Sequence, residues 1–102
     1  MSSVGNYHHR GPHFDGTNFA SWKHKMKMHI LGHNPAVWAI VCIGLQGEFF
    51  NGREPNREAT VEELKMLQYN AQACDILFKG LCPKEFNKIS RLENAKEIWD
   101  TL

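Results

Sequence analysis

Apolar positions recur at helical spacing along most of this chain. Phe19, Trp22, Met26 and Ile30 fall three and four residues apart, on one side of a helix expected from Asn18 to about Leu31, with Gly32 as its stop. Phe14, Asp15, Gly16 and Thr17 form the entry. Thr17 or Asn18 is the expected cap, Asp15 sets negative charge at the positive end of the helix dipole, and Gly16 frees the turn. Phe14 is expected to lie extended against the helices, so that its loss loosens only the arm before it. Trp22, inside the stripe, is expected to be a core position.

Asn34 and Pro35 make a second start, with Asn as cap and Pro at the first helical position, where a missing amide costs nothing. Val37, Trp38, Ile40, Val41 and Ile43 then give a short helix apolar nearly all round, which must be buried on several sides. The stretch 44–59 holds Gly44, Gly47, Gly52 and Pro55 and reads as the main loop. Phe49 and Phe50 interrupt its polarity. They either pin the loop to the core, the favoured reading, or form an exposed contact surface.

Thr60, Val61, Glu62 and Glu63 spell a capping box at the head of the longest helix. Leu64, Leu67, Ala71, Cys74 and Leu77, with Phe78, form its apolar stripe, and Gly80 is the expected C-terminal cap. This helix is expected to be the spine of the core. Pro83 opens a short helix with Phe86 and Ile89 inward, and Asn94 caps a last one carrying Ile98, Trp99 and Leu102. That helix has no C-cap and reads as truncated. Residues 1–13, rich in Ser, Gly, Asn and His, read as a flexible arm ahead of a helical unit over 14–102.

Composition changes this picture little. The 102 residues suffice for one domain, with 42% apolar and 23% charged positions, and a net charge of +1 exerts no long-range pull on nucleic acid. Cys42, Cys74 and Cys82 form no even framework and sit in or beside apolar segments, which points to a reducing, cytoplasmic setting. No apolar run approaches membrane-spanning length.

Catalytic chemistry is not expected. Asp15-Gly16-Thr17 has the residues of an aspartic-protease loop in the wrong order, and no phosphate-binding loop, nucleophile elbow or zinc-binding pattern occurs. His8, His9 and His13 lack a further ligand nearby, and His29 and His33, though four apart, are expected to be separated by the end of the helix at Gly32. Lys23, Lys25 and Lys27 form a charged outer face able to meet phosphates or an acidic neighbour. No cofactor, metal or small-molecule substrate is expected.

Taken in order, Phe14-Asp15-Gly16-Thr17-Asn18-Phe19, then Trp22 and Met26, Trp38, Ala73 and Ile76, and finally Ala95-Lys96-Glu97-Ile98-Trp99-Asp100-Thr101-Leu102, the chain resembles the N-terminal part of the gag polypeptide of copia-type LTR retrotransposons, in the form common in plants. The resemblance covers residues 12–102. It implies an all-α, small orthogonal bundle of about five helices like a retroviral capsid N-terminal lobe, whose function is self-association into particles. It also implies that Phe14, Gly16, Phe19, Trp22, Trp38, Ile98 and Trp99 define the lobe; Phe49, Phe50, Lys23 and Lys27 are candidate contact residues by their own chemistry. Expected partners are further copies or other gag chains. The alternative is a host-domesticated interaction module binding a host protein or interfering with gag assembly. The C-terminal lobe and zinc knuckle of a full gag are lacking, so RNA binding is not expected of this stretch.

Overall fold

The computed structural model describes residues 11–52 and 56–102, which form five helices: α1 (Phe19–His33), α2 (Pro35–Ile43), α3 (Val61–Lys79), α4 (Pro83–Ile89) and α5 (Ala95–Thr101). The chain is all-α, with no strand among the described residues beyond one isolated bridge between Phe14 and Leu81. The flexible-arm reading of residues 1–10, including His8 and His9, and Pro55 in the loop lie outside the described residues.

The centre is α2, not the longest helix. Its apolar sequence is used on several sides, for it packs against α1, α3 and α5 and buries Val37, Ile40 and Val41. Its start is as the sequence dictates: the Asn34 side chain accepts the Ala36 amide at 2.9 Å, and Pro35 holds the first helical position. The same dipeptide ends α1. Gly32 does not stop that helix, which continues to His33, because glycine inside a helix costs only about 1 kcal/mol whereas Pro35 excludes residue 34 from helical geometry.

The entrance to α1 also differs from expectation. Neither Thr17 nor Asn18 caps through its side chain: the Asp15 carboxylate takes the Thr17 amide at 2.9 Å and its hydroxyl at 2.7 Å. Asn18 is left-handed, with φ 52°, and makes no side-chain cap. Gly16, at φ +101°, gives the turn a conformation that a side chain would strain. Both Thr17 bonds hold Asp15 below the usual carboxylate range, the side-chain bond first.

Phe14 lies against the helices as the sequence suggested, and it is buried. Its amide donates to the Gly80 carbonyl at 2.7 Å, its carbonyl accepts the Cys82 amide at 2.9 Å, and its ring is 5% exposed. Gly80 does end α3, but with φ −87° it is not a left-handed cap. A Cβ there would stand 2.5 Å from Met26 Cε and 3.0 Å from the Pro12 carbonyl, so the glycine serves close approach of α3 to α1 and the entry segment.

In α3 the capping box forms as expected, with Thr60 Oγ1 accepting the Glu63 amide at 3.1 Å and Glu63 accepting the Thr60 amide at 2.8 Å. The predicted stripe does not form as expected. Leu64 is 55% exposed, Leu67 is 37% exposed and Ala71 faces solvent, while Asn70, Ala73, Cys74 and Leu77 are buried. Further on, α4 buries Ile89 but only half-buries Phe86, which meets Phe78 edge-on at 5.3 Å. In α5, Ala95 and Ile98 are buried, and Asn94 caps by accepting the Lys96 amide at 3.0 Å.

Candidate functional site

The residues marked out near the two ends of the sequence converge. Phe14 stacks near Phe19 (5.3 Å between centroids) and Trp22 (5.2 Å); Trp22 reaches Trp99 at 6.1 Å, and Trp99 meets Trp38 edge-on at 5.3 Å. One continuous aromatic string therefore joins the entry turn, α1, α5 and α2. Phe14, Trp22 and Ile98 are buried, and Phe19, Trp38 and Trp99 are half-buried beside them. Gly16 stands outside the string, exposed in its turn.

Lys23 is not a free cation. Its ammonium donates to the Trp99 carbonyl at 3.3 Å and lies 4.7 Å over the Trp99 ring and 5.2 Å from that of Phe19. It ties α1 to α5 instead of presenting charge outward. Lys27 is exposed and 5.9 Å over Trp38, while Lys25 is exposed at a polar cleft of about 250 Å³ that also takes in His13, Asp15 and Ser21.

Phe49 and Phe50 pack edge-on against each other at 5.3 Å, half-buried and apart from the core cluster. What holds them is Arg57, 5.0 Å over the Phe49 ring, and not the core that the sequence suggested. Arg57 in turn makes a two-pronged pair with Glu63, at 2.9 and 2.8 Å. That guanidinium, with the Thr60 amide, pulls the Glu63 carboxyl down to about 2. The loop is thus fastened to the first turn of α3.

An open apolar groove lies on α3. A shallow groove of about 480 Å³ is lined by Leu67, Ala71, Cys74, Phe78 and Leu92, with Asn70, Asp75 and Glu93 completing it. Leu67, Ala71, Cys74 and Phe78 belong to the stripe that the sequence places in the core. The reason is geometric: α3 carries two apolar stripes one residue out of step, about 100° apart around the helix. Asn70, Ala73 and Leu77 face inward; Ala71, Cys74 and Phe78 each follow one of them by one position, and Leu67 lies one turn before Ala71.

Asn70 is what sequence reasoning missed. Its amide donates to the Glu93 carbonyl at 2.7 Å and its oxygen accepts the Ala95 amide at 2.9 Å, so one side chain fixes the turn before α5 to α3. Met66, Asn70, Ala73 and Leu77 do have helical spacing. An asparagine in that series hid it. Cys74 donates to the same Glu93 carbonyl at 3.5 Å, and burial, with the Glu93 charge adding, pushes its thiol up to about 11. At neutral pH it is a protonated, apolar part of the floor.

His29 and His33 share α1 after all, their rings 6.5 Å apart and nearly parallel. Among the described residues no group of three or more His, Cys, Asp or Glu is arranged to hold a metal ion. Among them, too, no helix is long and apolar enough to cross a membrane. No protein-family model, curated protein or solved structure matches this chain.

Proposed function

We propose that this chain is a structural assembly module that self-associates through the outer face of α3, in the manner of the capsid-like lobe of a copia-type gag polypeptide or of a host gene derived from one. The observation that carries the reading is the second apolar stripe of α3. Leu64 and Leu67 are left exposed beside a groove floored by Ala71, Cys74, Phe78 and Leu92. An apolar surface gains by being covered, at about 25 cal/mol per Å² removed from water. The resemblance of the entry motif and of the α5 motif to gag supports the same reading.

The test is sedimentation equilibrium over a wide concentration range. The chain is expected to associate reversibly with rising concentration, and Ala71→Arg, which sets a bulky cation on the groove floor at an exposed position, is expected to keep it monomeric with its helical circular dichroism intact. A wild-type chain that remains monomeric at the highest concentrations overturns the proposal.

A further inference from the structure

We infer that the groove on α3 receives the outer face of α1 from a second copy of the chain, with Met28 as the inserted side chain, so that association is head-to-tail. This rests on the self-association proposed above and specifies its two surfaces. Charge complementarity selects the occupant. The charged residues lining the groove are acidic, Asp75 and Glu93. Asp75 pairs with Lys79 at 3.0 Å, whereas Glu93 has no ion-pair partner among the described residues. By contrast, α1 contains no acidic residue from Phe19 to His33, and His24, Lys25 and Lys27 are exposed along it.

Amid that basic surface Met28 is 51% exposed and is the large apolar side chain that α1 turns to solvent. Lys25 stands one turn before it and Gly32 one turn after, on the same face. A Cβ at Gly32 would meet nothing within 4 Å, so that end of the face is open to close approach. Methionine adapts its shape to a shallow apolar floor, here Leu67, Ala71, Cys74 and Phe78, while Lys25 comes near the carboxylates at the rim. Met28 does not line the groove of its own chain, so the pairing is between molecules. Groove against groove would instead set Asp75 and Glu93 against their own copies. Such repulsion disfavours the two-fold arrangement. A head-to-tail contact leaves an α1 face free at one end and a groove free at the other, and so propagates into rings or filaments.

The experiment mixes two disabled chains. Met28→Asp keeps the groove and loses the knob; Ala71→Arg keeps the knob and blocks the groove. Each alone is expected to weaken self-association by about tenfold or more, since Met28→Asp brings a carboxylate against the acidic groove and Ala71→Arg fills its floor with a bulky side chain. Mixed in equal amounts they are expected to form a one-to-one heterodimer and nothing larger, because a single intact contact remains between them. If Met28→Asp associates as strongly as wild type while Ala71→Arg does not, the groove pairs with itself or with another surface, and the head-to-tail inference falls while the assembly proposal stands. If wild type is monomeric throughout, both fall. Should Ala71→Arg lose helical signal, Glu93→Lys takes its place, reversing the rim charge at an exposed site.

Discussion

At the scale of single residues, the clearest change is the standing of Phe14. Its place before the first helix suggests that its loss would loosen only the arm, yet its main-chain bonds to Gly80 and Cys82 and its ring contacts with Phe19 and Trp22 make it as much part of the core as Trp22. Phe14→Ala and Trp22→Ala are therefore each expected to cost about 3–5 kcal/mol, as emptied aromatic core sites do. Urea denaturation measures both, and a Phe14→Ala cost well under half that of Trp22→Ala would return Phe14 to the arm. The sequence shows that Phe14 is apolar and close to a helix start; it does not show what lies opposite, because Gly80 is 66 positions away and contact at that range leaves no local pattern. Asn70 is hidden for a related reason. Its partners, Glu93 and Ala95, belong to a distant turn, and hydropathy treats the residue as surface. Asn70→Leu is expected to leave the Ala95 amide without its partner, at about 1–3 kcal/mol, and the Glu93 carbonyl with only the weaker Cys74 thiol bond. Hydrogen exchange at Ala95 is the specific readout: it should quicken by more than the loss of global stability explains.

At the scale of elements, helix starts were legible and so was the buried stripe of α1, but the face of α3 was not. Asn34-Pro35, the Thr60–Glu63 box and Asn94 all fall where helices begin, because a cap involves groups within a few residues of one another. The side-chain cap expected at Thr17 or Asn18 failed for a local reason as well: Asn18 holds the cap position but is left-handed, where a capping side chain needs extended backbone. Which way α3 turns is another matter. Two adjacent stripes are each apolar enough to be core, and only the docking of α2 and α5 chooses between them. The head of α3 offers the sharpest test. Thr60→Ala is expected to cost about 1 kcal/mol through the lost cap. Glu63, with Arg57 and the Thr60 amide holding its carboxyl at about 2 against an ordinary 4.5, contributes stability that is complete above pH 4.5 and lost as pH falls toward 2. Glu63→Gln is accordingly expected to be less stable than wild type at neutral pH, with the two stability curves converging through that acid window. Parallel curves from pH 5 to about 2 would show that the Arg57 clasp contributes nothing in solution.

At the scale of the whole molecule, the forces that hold one chain together differ from those proposed to join two. Within the chain, α2 supplies an apolar hub and the aromatic string from Phe14 to Trp38 binds both ends of the sequence to it. Ion pairs such as Lys79 with Asp75 and Lys96 with Asp100 lie on the surface, where each contributes about 0–1 kcal/mol. Between chains, the basic face of α1 and the acidic rim of the groove are both exposed, and their attraction is open to screening. Salt should therefore separate the two. Raising ionic strength from about 0.05 M to about 0.5 M shortens the screening length from roughly 14 Å to roughly 4 Å. The melting temperature of the dilute monomer is expected to change little over this range, while self-association weakens as salt rises. Lys25→Glu is expected to weaken association most at low salt, where the like charge at the rim is least screened, and to approach the strength of wild type at high salt. Circular dichroism melts on dilute protein and sedimentation on concentrated protein, at the same two salt concentrations, read these effects independently. Association that strengthens with salt would mean that the apolar floor alone carries the contact and that the charges on α1 do not choose the partner.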